Sequence, residues 1–238
     1  MDFAYVAQLV VRFLTKLPAT LALVAVCFAL GLTLAFLVML GRLSSHRALR
    51  RVLEVYVSFV RSIPILLLLF IVYYGVPQLL RTTLHIDIYD WSKLVFAAIT
   101  LVLFNAGWLS ETLRAAYNSI DRSQLDLAQS LGYTPWHAWR TVIIPQMLGI
   151  ALPDLGNAAV DLLKDTSLLF TIGVVDMMGL AKVIIANNYG VRQAEVYLAV
   201  GLVYWLAMLA IESIIHLSQR YNRFSRVQSA LAVRGGVA

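Results

Sequence analysis

Charge is scarce in this chain. Only 13% of its 238 residues are Asp, Glu, Lys or Arg, and 61% are hydrophobic. A soluble domain carries about a quarter charged residues and about half apolar ones. The shift, together with long uncharged runs, indicates an integral membrane protein. Cysteine is nearly absent. The one residue, Cys27, lies inside an apolar run, which excludes an internal disulfide and reads as a small buried hydrophobe. No Walker A pattern occurs, so ATP binding through a phosphate loop is excluded. His46, His85, His137 and His216 are scattered and make no metal-ligand spacing. Ser167 has neither a nearby His nor a nucleophile elbow, so no enzyme site is expected. No internal repeat or low-complexity segment stands out.

The residues present are as informative. The formal charge of +6 fits basic loops facing a cytoplasm and anionic lipid, not nucleic acid. Residues 1 to 17 lack the charged start, apolar core and cleavage site of a secretory signal, so none is expected. Instead Gln8, Arg12 and Lys16 recur every four residues, with Phe3, Val6, Val10, Phe13 and Leu17 opposite. This predicts an amphipathic helix over 1–18 that suits a membrane surface.

The expected fold class is all-α and membrane-embedded, with about five spans read by apolar length. They fall at Ala19–Leu40, Val55–Leu79, Leu94–Leu113, Val142–Leu163 and Val196–Leu217. Pro64 should kink the second near its start. Residues 80 to 92 and 173 to 194 are mixed and read as interfacial. The spans form one membrane domain over 19–220, with a basic tail at 221–238.

Lys and Arg set the expected orientation. One face holds Arg42, Arg47, Arg50, Arg51, Arg114, Arg122, Arg140, Arg220, Arg223, Arg226 and Arg234. The other holds Arg12, Lys16, Arg81, Lys93, Lys182 and Arg192. The richer face belongs inside, which puts the N-terminus outside and the C-terminus in the cytoplasm.

Between the third and fourth spans lies a polar loop, about 114–145, too long for a simple turn. Ser123-Gln-Leu-Asp126 resembles a capping box with Asp in place of Glu or Gln, so a short helix should run from Gln124 to Leu131. Gly132 stands where a left-handed cap wants glycine, and Thr134-Pro135 should restart a helix. Glu111 and Arg114, one turn apart, should pair just before this loop.

This loop resembles the "EAA" loop in the membrane subunits of importers driven by ATP-binding cassettes. The match runs Asp126-Leu127-Ala128, Gly132, then Val142-Ile143-Ile144-Pro145, with the spacing kept. Asp126 stands for Glu, and Leu127 for the first Ala. Val60 to Pro77, the Pro145-Gln146 pair and Leu162 to Leu169 are similar to the polar amino acid permease group. The resemblance covers roughly residues 15 to 220. It implies the type I importer fold and a multi-pass subunit of a bacterial cytoplasmic membrane. It implies a second permease subunit, identical or homologous, two ATPases that use the ATP, and an external solute-binding protein. Gln124, Asp126, Ala128 and Gly132 would form the ATPase docking site. No cofactor is expected on this chain.

Charges inside apolar segments are costly, so they mark candidate pathways. Asp161, Lys164 and Asp165 are close enough to share a helix face, and Thr166 and Ser167 add hydroxyls. Arg61 precedes the second-span proline. These six are the candidate substrate pathway. The alternatives are an ion-pair cluster that fixes helix packing and, for Arg61, an interfacial role or a carboxylate partner. The function expected is translocation of a polar amino acid, with a lean to cystine from the Ala186–Gly190 stretch. The rival is a self-contained secondary transporter or channel, which would usually show internal repeats and more spans.

Overall fold

The computed structural model describes residues 1–121 and 123–221. Among these, every regular element is helical. An apolar slab offers no water to backbone amides, and a helix satisfies them within one segment. Five stretches are long and apolar enough to cross a membrane: Leu17–Leu43, Ile65–Leu84, Lys93–Asn118, Pro135–Ile172 and Gln193–Leu217. The expected number holds, and four expected locations agree apart from their ends. From residue 222 onward the basic tail lies outside the described residues.

The second span is the exception. Helices α1 (Phe3–Leu14) and α2 (Leu17–Leu43) are followed by α3 (Arg47–Ser62), which ends where Ile63 and Pro64 become extended. A proline ring disfavours helical conformation in the residue before it, and here the chain breaks instead of kinking. The span begins after the break. It comprises α4 (Ile65–Phe70), a π-turn (Ile71–Gly75) and α5 (Val76–Leu84). α3 is a separate amphipathic helix. Its Tyr56 hydroxyl donates to the Leu103 carbonyl at 2.7 Å, and Val60 is buried against Gly107. A Cβ at Gly107 would come within 2.8 Å of Val60, so this crossing needs a bare backbone.

The chain continues as α6 (Lys93–Asn118), α7 (Ser123–Ser130), α8 (Pro135–Ala138), a second π-turn (Trp139–Ile143) and α9 (Ile144–Thr166). A 3₁₀ turn (Leu169–Ile172), α10 (Met177–Asn187) and α11 (Gln193–Tyr221) follow. Both π-turns end two residues before a proline, Pro77 and Pro145. Proline supplies no N–H and its ring presses on the carbonyl four residues back. The wider turn relieves this: Val76 N–H bonds the Ile71 carbonyl, and Ile144 N–H bonds that of Trp139. The fourth span is thus helical from Pro135, seven residues earlier than its apolar run suggests.

α2 and α6 form the central pair. Lipid is as apolar as leucine, so helices associate in it through close fit. The buried small residues Gly31, Ala35, Ala97 and Ala106 permit that fit, with Gly31 lying directly against Asn105. Cys27 is fully buried in this core, as expected.

Two expectations change. The N-terminal helix is amphipathic, but Val6, Leu9 and Phe13 are buried in the main core, beside α11, while Phe3 is exposed. Periodicity reveals an apolar face without revealing whether lipid or protein covers it. Within the stretch 173 to 194, α10 is a regular helix whose Met177, Leu180, Ala181 and Ile184 enter the same core. Asp176 caps this helix, accepting from Gly179 N–H at 2.8 Å and the Tyr204 hydroxyl at 3.3 Å.

Candidate functional site

The candidate site starts from a stripe on α9. Asp154, Asn157, Asp161 and Lys164 follow one another at spacings of three and four, which places them on one helix face. All four are exposed. Together with Asp165 they line a cavity of about 410 Å³, closed on the other side by Phe104, Asn105 and Trp108 of α6. That volume falls in the range of small-molecule sites. Lys164 Nζ donates to Asp161 Oδ1 at 3.0 Å, with side chains 53% and 67% exposed. Such an open pair contributes little stability, so both groups stay accessible to water and to other partners. Asp165 is half-buried and forms no salt bridge among the described residues.

The six predicted pathway residues do not all meet. Asp161, Lys164 and Asp165 share the cavity wall. Arg61 reaches it only indirectly, stacked over the Trp108 ring at 4.8 Å. Thr166 is fully buried in the core, its hydroxyl donating to the Leu163 carbonyl at 2.7 Å. Ser167 ends α9 outside the cavity lining. Asp154 and Asn157 were not singled out in the sequence, although their spacing to Asp161 is visible there. Asn105 and Trp108 carried no signal, since only the packing of α6 on α9 brings them in.

One turn beyond Trp108 on α6, Glu111 pairs with Arg114, as expected. It also binds Arg42 of α2 at 2.7 Å. The loop then enters α7 through Asp121, whose carboxylate accepts from Ser123 N–H at 2.9 Å. That backbone bond holds the Asp121 carboxyl below its ordinary pKa. Ser123 is therefore the first helical residue and not a cap, which moves the predicted helix one residue earlier.

Gly132 has φ of +82°, the left-handed conformation expected. Tyr133 N–H reaches back to the Ala128 carbonyl and Gly132 N–H to that of Gln129, closing a Schellman turn. Thr134 caps α8 by accepting from His137 N–H, with Pro135 at its start. Among the predicted docking residues, Asp126 faces outward beside exposed Leu127 and Leu131. Ala128 is buried, and Gln124 turns inward to Gln146.

These features define a polytopic helical membrane protein that carries, between spans, a cavity with a charged stripe on its α9 wall, and an exposed, glycine-broken helix in the loop between spans. Residues 27–223 match the family described as binding-protein-dependent transport system inner membrane component, and the chain belongs to it. The probable amino-acid permease protein YxeN of Bacillus subtilis (strain 168) is 37% identical over 86% of this chain and 88% of its own. The L-cystine transport system permease protein TcyL of the same organism is 32% identical over 92% and 90%. Further relatives are named for L-cystine, glutamine and glutamate/aspartate. A crystal structure of an amino acid ABC transporter with histidines superposes with a TM-score of 0.79 at 26% identity, covering 92% of this chain and 98% of that one. The chain is an inner-membrane permease of this family, and it shares the fold of the amino acid ABC transporter on which it superposes.

Proposed function

We propose that this chain is the non-enzymatic membrane subunit of an ATP-driven importer, and that α9 lines the route of a free polar amino acid. The observation that carries this is the exposed stripe of Asp154, Asn157, Asp161 and Lys164 on a membrane-spanning helix. One such charge costs about 2.5–3.5 kcal/mol at a bilayer centre on insertion scales. The stripe therefore faces water or another subunit instead of lipid. A second permease subunit, identical or homologous, covers this face and completes the route. Two ATPases dock at α7 and hydrolyse the ATP, and an external binding protein delivers the solute. An amino acid presents one ammonium and one carboxylate, which match the Asp and Lys groups of the wall. TcyL's name favours L-cystine, whereas other relatives are named for other amino acids, so the proposal is a polar amino acid as a class.

The test is uptake by the reconstituted complex of radiolabelled L-cystine, L-glutamine and L-glutamate. Because Lys164 pairs with Asp161, the informative variants are Asp161→Asn, Lys164→Met and their double. If the two only brace each other, the double restores the uptake lost in either single variant. If they line the route, it stays inactive while the complex assembles and its ATPase runs. Near wild-type uptake in the double would sink the pathway role.

We further propose that α7 lies in the cytoplasm and the N-terminus outside. Support comes from the excess of basic residues on the α7 side, where Arg42 and Arg114 meet at Glu111. After Cys27→Ser, a membrane-impermeant thiol reagent added outside should label Tyr189→Cys, whose native residue is 96% exposed, and not Ser130→Cys. The reverse pattern would invert the topology.

A further inference from the structure

We propose that an amide bridge between Gln124 and Gln146 is the strut through which α7 moves α9. The proposal rests on the importer reading above and assigns a role to two residues within it. Gln146 Nε2 lies 2.5 Å from Gln124 Oε1 and 2.9 Å from the Val142 carbonyl oxygen. A carbonyl can only accept, so Gln146 must turn its NH₂ toward Val142. Its second N–H then points at Gln124, which must present its oxygen. The polarity of the bridge is thereby set: Gln146 donates and Gln124 accepts. Both side chains are half-buried, which limits competition from water.

The position of the bridge gives it a mechanical meaning. Along the backbone, α7 connects to α9 through the left-handed Gly132, the four residues of α8 and the π-turn Trp139–Ile143. These are joints. A displacement of α7 passed along the chain alone is absorbed by dihedral changes at such points. Through space, the bridge bypasses all of them. It lands on Gln146, beyond the π-turn, on the continuous helix that carries Asp154, Asp161 and Lys164. Asp154 is eight residues further, about 12 Å along the helix. Leu125 and Ala128 also hold α7 against the core, but apolar contacts are non-directional and permit sliding. The bridge makes the motion directional. Gln146 also braces the π-turn through Val142, so one side chain stiffens the joint and ties it to α7.

The test uses the reconstituted complex of permease, ATPase and binding protein. It reads radiolabelled L-cystine, L-glutamine or L-glutamate taken up per ATP hydrolysed, with assembly checked by co-purification. Gln146→Leu and Gln124→Leu should each lower that ratio about tenfold, within the usual range of coupling between sites. The two glutamate variants separate a strut from simple packing. Gln124→Glu keeps an acceptor opposite Gln146 and retains the ratio. Gln146→Glu removes the donor, sets two acceptors face to face and loses it. An unchanged ratio in Gln146→Leu, or a Gln124→Glu variant as defective as Gln124→Leu, overturns the proposal. Absence of binding-protein-dependent uptake in the wild-type complex would instead overturn the importer reading, and the strut role with it.

Discussion

Gly132→Val is expected to abolish ATP-coupled uptake while leaving solute capture by the external binding protein intact. The residue sits at φ of +82°, and a Cβ added there would meet nothing within 4 Å. Packing within this chain therefore contributes little, and the effect on the exit of α7 comes from the backbone. A β-branched residue in a left-handed conformation is strained by about 1–3 kcal/mol. The chain relieves that strain by leaving the conformation, which breaks the Schellman turn between Ala128, Gln129 and Tyr133. The exit of α7 then swings away from its native direction. By the ordinary relation between free energy and population, the correctly presented helix falls about tenfold or more. Gly132→Ala should be milder, and Gly132→Asn milder still, because Asn visits this region with its short polar side chain. Uptake and ATP hydrolysis, measured together on the three variants, check the order. Full uptake in a stably assembled Gly132→Val complex would refute the role.

The second large effect is on stability. Glu111→Ala removes the one carboxylate that holds two guanidinium groups, Arg42 of α2 and Arg114 of its own helix. The Arg42 side chain is only 14% exposed, and its Nε already lacks a partner. Without Glu111 it becomes a nearly buried, uncompensated charge at the junction of the two central helices. Breaking such a pair costs roughly 3 kcal/mol. Arg114 is 35% exposed and can turn to solvent, so the loss concentrates on Arg42. The measurement is thermal or denaturant unfolding of the purified complex. Replacing both partners, Arg42→Met with Glu111→Met, should recover most of the loss, since an apolar pair of similar volume leaves no charge behind. A double variant no more stable than Glu111→Ala would mean that the cluster acts through something other than this charge pair.

Much of the architecture was legible because its signals are local. Apolar run length marked the five spans, since bilayer thickness imposes that length on any helix that crosses. Gly132, Thr134 and Pro135 announced the break between α7 and α8 through backbone chemistry that each residue carries by itself. The Glu111–Arg114 pair followed from helical spacing. Pro64 was visible as well, but its consequence was not. Whether a proline bends a helix or ends it depends on where the chain must go next, and here α3 leaves to cross α6 at Gly107.

The class of protein, the number of its spans, the helix-break-helix of the loop and the charges worth suspecting on α9 were thus legible along the chain. Each depends on neighbours along the chain, and the dihedral and spacing rules that govern them act at short range. Which faces meet emerged only with the packing of the helices. It drew Val6, Leu9 and Phe13 of the first helix into the core, turned Thr166 away from the cavity, and brought Asn105 and Trp108 to its wall. It joined Arg42 to Glu111 and Gln124 to Gln146, pairs separated by 69 and 22 residues. Such contacts are set by how helices rotate and cross once they pack. In a chain where 61% of residues are hydrophobic, almost every helix face is apolar enough to be buried. Steric fit between small residues, and not the pattern of polarity, then selects the face that is buried.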